Sequence, residues 1–166
     1  MYKKDIVLCA THIVPLIKCF DLSEGEVLEI GTGFYSTTLL DWMCEMYNRK
    51  LTSYDTDEKW AKMNIEKYEK PTHHIEYVDD LDSIDLTDRH WGLVLIDHSP
   101  SPRRKTDILR LKDHADYIVI HDTQPKLDWK FRFSKIYPEF KYVYHYDKII
   151  PHTTVVSNFK DLKNLS

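Results

Sequence analysis

The stretch "EIGTGFYSTTLL", residues 29–40, decides the reading of this chain. Ahead of it, Val27 to Ile30 reads as a short buried strand; behind it, Ser36 to Asn48 reads as a helix with Leu39, Leu40, Met43, Met46 and Tyr47 on one stripe. Between them stand Gly31 and Gly33, two of only four glycines in 166 residues. Glycine there lets the backbone take a positive φ or pass close to a ligand, and Ser36, Thr37 or Thr38 can cap the helix that follows.

The same strand-turn-helix unit recurs on either side. Leu51 to Tyr54 predicts a second strand and Asp57 to Lys70 a helix carrying Trp60, Met63, Asn64 and Lys67 at helical spacing, stopped by Pro71. Ile75 to Val78 predicts a third strand, and the acidic run from Asp79 to Asp88 a loop or short helix. "WGLVLID", 91–97, is the clearest buried strand; Ser101 and Pro102 then open a helix through Leu111, and "YIVIHD", 117–122, is a fifth strand. A helix from Trp129 to Tyr137 ends at Pro138, and Tyr142 to Tyr146 and Thr153 to Phe159 alternate as a closing antiparallel hairpin through Pro151. Strands alternating with helices predict an α/β, doubly wound, mostly parallel seven-stranded sheet with helices on both faces.

Composition sets the frame. A chain of 166 residues, 42% hydrophobic, supports one domain spanning 1–166. Its first 24 residues are expected to pack a helix on the core through Ile6, Cys9, Ala10, Ile13, Ile17 and Phe20. A net charge of −4 disfavours a nucleic-acid partner held through phosphates. Three cysteines without a CxxC pair point to a reducing, cytoplasmic setting rather than a disulfide framework or structural zinc. His12, Pro15 and Lys18 interrupt the N-terminal apolar stretch, which argues against a secretory signal, and no segment has transmembrane length.

Open parallel sheets bind ligands at the carboxyl ends of their strands, where the strand order reverses. G-x-G-x-x-S with Asp55 downstream matches part of a dinucleotide fingerprint, but the third glycine that packs under a pyrophosphate is missing and Glu29 precedes the turn. "VLEIGTG", "YSTTLL" and "LTSYDTDEKW" together resemble the first two motifs of class I S-adenosylmethionine-dependent methyltransferases. "LVLIDHSPSPRRKTDILRL" and "DYIVIHDT" resemble the fourth and fifth strands of their small-molecule O-methyltransferase branch. The resemblance covers about residues 27–124 and implies S-adenosylmethionine as cofactor. Gly31, Thr32 and Gly33 would pass beneath its methionine end beside Ser36 and Thr37, and Glu29 would anchor the loop or the ammonium. Asp55, followed by Thr56, would hold the ribose, and Asp80 or Asp79 the adenine. Where that branch has two glycines before its fifth strand, this chain has Asp113, His114, Ala115 and Asp116.

Asp97, His98, His121 and Asp122 end the fourth and fifth strands, so two carboxylates and two imidazoles are expected on one rim. One chemistry for that set is a divalent cation such as Mg²⁺ on Asp97 and Asp122, with Thr123 or His121, lowering the pKa of an acceptor hydroxyl. This resembles the metal-dependent catechol-type enzymes, which carry Asp-Asn where Asp122-Thr123 stands. The other is a metal-free general base, His98 or His121; His121 equally reads as a hydrogen-bonded core histidine. Arg103, Arg104 and Lys105 in a helix's first turn oppose its dipole, which an anionic acceptor would relieve, and Trp129 could wall that acceptor.

Two other functions fit parts of the pattern. A nicotinamide-dependent oxidoreductase shares the fold, and Tyr137 and Lys141 form a Y-x-x-x-K match, yet Pro138 breaks the helix that pair requires. A non-catalytic cofactor-binding or regulatory domain would keep the turn without the acceptor site. Oligomeric state leaves no signature in the sequence.

Overall fold

The computed structural model describes residues 10–166. Seven strands form one sheet: β1 Val27–Ile30, β2 Leu51–Asp55, β3 His73–Tyr77, β4 Trp91–Ile96, β5 Ala115–His121, β6 Tyr142–Tyr146 and β7 Thr153–Ser157, in the order β3-β2-β1-β4-β5-β7-β6. The first five pair in parallel, and β7 enters antiparallel between β5 and β6. The order reverses between β1 and β4, so the turn after β1 stands at the switch point.

Pleating sorts the strand residues into two cores. Leu93 and Leu95 of β4 and Val119 of β5 face one side with Val27 and Leu51; Val94, Ile96, Ile118 and Ile120 face the other with Leu28 and Ile30. On the first side pack α1 (Ile13–Leu22) through Leu16, Cys19 and Phe20, and α2 (Ser36–Met46) through Leu40, Met43 and Cys44. α3 (Glu58–Tyr68) lies beside α2 against β2 and β3. The second side is covered by α4 (Arg104–Arg110), through Ile108, and by the segment containing the one-turn helix α5 (Asp128–Phe131). Because both faces are covered, β1 and β4 are buried at every position.

Several boundaries and faces differ from expectation. Of the N-terminal stripe, Ile6 and Cys9 lie outside the described residues. Phe20 is buried as expected, but the rest of the buried face is Pro15, Leu16 and Cys19, with His12 buried at the N-cap, and Ile17 is exposed. α2 ends at Met46, so Met46 and Tyr47 leave the stripe and face solvent. β3 begins at His73, and the acidic run holds a single 3₁₀ turn at Leu81–Ser83. Ser101 is no cap: it starts a 3₁₀ turn that hands over to α4 at Arg104. The helix expected over 129–137 is broken by Arg132 at φ 55° into α5 and two 3₁₀ turns, so Tyr137 and Lys141 do not share a helix. No helix among the described residues is long and apolar enough to cross a membrane.

Candidate functional site

The turn after β1 is held by its neighbours on both sides. Gly31 has φ +95°, and a Cβ there would stand 2.5 Å from the His98 nitrogen and 2.6 Å from the Asp97 carbonyl carbon. Only glycine lets the turn press against the end of β4. On the other flank Asp55 Oδ2 accepts hydrogen bonds from the Thr32 amide (2.8 Å) and hydroxyl, while its Oδ1 accepts from the Asp57 amide at 2.9 Å. Asp57 caps α3 by accepting the Trp60 amide. Asn64 donates to Thr32 Oγ1 at 3.0 Å, the Trp60 indole donates to the Thr32 carbonyl, and the Phe34 ring meets Trp60 edge-on. Thr56 donates from its hydroxyl to the Ser99 carbonyl, so the loops after β2 and β4 meet across the end of β1 that lies between them.

Beneath the turn runs a buried polar chain. Thr37 Oγ1 accepts the Gly33 amide at 2.8 Å and donates to Glu29, so Glu29 anchors the loop. Ser53 Oγ lies 2.8 Å from Glu29 Oε2 and 2.9 Å from His73 Nε2, and His73 Nδ1 lies 2.8 Å from Asp41. One hydroxyl proton cannot serve both Ser53 contacts. With His73 held neutral by burial and giving its Nδ1 proton to Asp41, Ser53 donates to Nε2 and a protonated Glu29 completes the chain. Burial raises Glu29 to about 7 against the opposing hydroxyl donors, in agreement with this assignment.

Glu29 therefore holds its proton longer in the folded than in the unfolded chain. Its contribution to stability is whole below the ordinary value of 4.5 and is lost as pH rises to about 7. Glu29→Gln should gain stability relative to the parent across that interval, by on the order of 3 kcal/mol. Urea unfolding of both proteins at the two ends of the interval measures it; a constant difference would contradict the assignment.

The rim at β4 and β5 is organised by a cation of the chain itself. Arg104, 4% exposed, donates to the carbonyls of His98 (2.7 Å), Asp97 (3.0 Å) and His121 (3.4 Å), and pairs with Asp97 Oδ1 (2.9 Å) and Asp122 Oδ2 (3.2 Å). This corrects two expectations. The place between Asp97 and Asp122 holds a guanidinium rather than a divalent cation, and Arg104 is structural rather than turned to an acceptor. His98 is also corrected: it is buried with Nε2 3.2 Å from Asp107, behind the rim, and cannot reach a substrate as a base.

His121 ends β5 as expected, but it is 4% exposed with both ring nitrogens engaged, which fits the core-histidine reading and not a base open to a substrate. Its Nδ1 lies 3.1 Å from Asp97 Oδ2 and its Nε2 2.9 Å from Thr11 Oγ1. Burial lowers the pKa of His121, but the Asp97 hydrogen bond and charge outweigh it and raise the imidazole above its ordinary value. His12 packs edge-on against the same ring at 4.9 Å between centroids. Burial first, then His121, brings His12 down to about 4. Neither Thr11 nor His12 was singled out for the site from the sequence; the signal was a polar pair on the side of α1 that the fold buries.

The remaining candidates disperse. Arg103 is engaged by Asp82 at 2.6 Å and Asp107 at 3.2 Å, Trp129 is 78% exposed, Asp79 is exposed, and Asp80 caps the 3₁₀ turn through the Asp82 amide. A cleft of about 510 Å³ opens beside the end of β5, lined by Thr123, Asp128, Tyr137, His145, Asp147 and His152.

The topology defines a Rossmann-like methyltransferase fold, a parallel sheet closed by an antiparallel terminal pair. The chain is similar to human methyltransferase-like protein 13 in complex with SAH, at TM-score 0.68 and 11% identity over 95% of this chain and 86% of that one. It is also similar to the N-terminal domain of human METTL16 (TM-score 0.60, 12% identity, 90% and 68%). A third similar structure is precorrin-6y C5,15-methyltransferase from Geobacter metallireducens (TM-score 0.60, 13% identity, 88% and 86%). At such identities the likeness is one of fold. No family model and no curated protein matches the chain by sequence.

Proposed function

We propose that this protein binds S-adenosylmethionine over the glycine turn and transfers its methyl group to an oxygen of a small, hydroxylated acceptor. The observation that carries the reading is the pairing of a positive-φ glycine turn at the switch point with a carboxylate at the end of the adjoining strand, Gly31 with Asp55. The donor set suits the cofactor: a close-approach turn for the amino-acid end and a two-oxygen carboxylate for the two ribose hydroxyls. Asp55 is engaged with Thr32, and Thr56 reaches Ser99. Asp55 would hold the ribose hydroxyls in place of its Thr32 bonds, and Thr56 would release the Ser99 carbonyl.

The bound sulfonium supplies the methyl group; the protein's part is to align the acceptor in line with it and exclude water. Asp97 and Asp122, each about a quarter exposed, are the rim carboxylates that an acceptor hydroxyl can reach. The cleft lined by Thr123 and Tyr137 offers hydroxyl, imidazole and carboxylate groups, which suits a sugar-like molecule. The cations Arg103 and Arg104, expected to draw an anionic acceptor, are spent within the protein.

Asp55→Ala should weaken SAH binding by about 1.5–3 kcal/mol, the value of charged hydrogen bonds lost. Calorimetry on the folded variant measures it, and an unchanged affinity would remove Asp55 from the cofactor site.

A further inference from the structure

We propose that His12, Asp97 and His121 form a binding site for a divalent transition-metal ion of the zinc type. One ligand atom from each lies within 4.8 Å of the other two. His12 is 2% exposed, and among the described residues neither of its ring nitrogens has a hydrogen-bond partner. A buried imidazole is ordinarily satisfied on at least one side, so an unpartnered one beside a carboxylate and a second imidazole points to a ligand. The separation of His121 Nδ1 and Asp97 Oδ2, 3.1 Å, is also what two atoms on one ion require: bonds of about 2.0–2.2 Å at tetrahedral to right angles hold their ends about 3 to 3.5 Å apart. An ion would replace the proton those atoms share.

The surroundings orient the set in the manner of a metal centre. With His121 Nδ1 toward the ion, its Nε2–H donates to Thr11 Oγ1, 2.9 Å away, which fixes the ring. Arg104 holds Asp97 by Oδ1 and leaves Oδ2 on the His121 side. Two imidazoles and one carboxylate suit Zn²⁺, Co²⁺ or Fe²⁺ and suit Mg²⁺ poorly, since Mg²⁺ prefers an all-oxygen octahedron. Three protein ligands leave a coordination position open. Both histidines are buried and Asp97 is partly exposed, so that position faces the rim. This site shares Asp97 with the pair expected from sequence, but it draws its other ligands from the start of α1 and the end of β5 rather than from Asp122.

The test uses the full chain freed of metal by chelator, with no cofactor present, so it stands or falls apart from methyl transfer. Titration with Zn²⁺, and with Co²⁺ followed by its visible absorption, should show one ion per chain, with a tetrahedral or five-coordinate cobalt spectrum that excess Mg²⁺ leaves unchanged. His12→Gln and Asp97→Asn should each weaken binding by more than about a hundredfold, and Thr11→Val by about ten- to a hundredfold. His74→Ala, at an exposed imidazole, should leave it unchanged. Circular dichroism confirms that each variant is folded; if His12→Gln does not fold, Thr11→Val and Asp97→Asn carry the decision. Absence of stoichiometric Zn²⁺ binding by the parent, or binding that survives these substitutions, would overturn the proposal.

Discussion

Gly31→Ala should be among the most damaging substitutions in the chain. At φ +95° an L-residue is strained by about 1–2 kcal/mol. The added methyl also meets backbone, not a movable side chain: His98 nitrogen at 2.5 Å and Asp97 carbonyl carbon at 2.6 Å. Overpacking against atoms that cannot turn away adds about 1–3 kcal/mol, for a total of about 2–5 kcal/mol. Denaturant unfolding measures the loss. A loss below about 1 kcal/mol would mean that the turn does not press on β4 as described. Because that same contact sets the turn beside Asp97, a folded variant should also show a displaced rim.

Arg104→Met should cost a comparable amount for a different reason. The guanidinium gathers three strand-end carbonyls and two carboxylates into one buried knot. Methionine fills much of the volume but leaves Asp97 and Asp122 facing each other without the charge between them. Breaking a buried pair by removing one partner costs about 3–5 kcal/mol; with both carboxylates partly exposed, the lower half of that range is expected. Arg104→Lys should recover only part, because a single ammonium cannot reproduce the fork of donors. Equal stability of Arg104→Met and the parent would contradict the role assigned to this residue.

Arg104 also shows where sequence stops being informative. The strands and the ligand-facing glycine turn were legible because β1, β4 and β5 are apolar runs punctuated by Gly31, Asp97 and Asp122, and local pattern suffices for such segments. The direction of a long side chain is not local. Arg104 reads as an exposed cation opposing a helix dipole, yet the preceding 3₁₀ turn rotates it inward onto the ends of two strands. His98 was misread for the same reason, since its partner Asp107 lies on α4 and nothing in "IDHSP" announces it. His12 looked like an interruption of an apolar stretch. Only the rotation of α1 on the sheet, set by Leu16, Cys19 and Phe20, brings it to His121. The chain Glu29–Ser53–His73–Asp41 joins three strands and a helix, and its histidine carried no motif.

The central claim, a sulfonium cofactor seated on the turn between β1 and α2, is tested most directly by isothermal titration of the purified chain with SAH and, separately, with NAD. The account predicts saturable SAH binding at one molecule per chain and none of NAD. Saturation by NAD alone, or no heat and no competition from SAH at any attainable concentration, would contradict it.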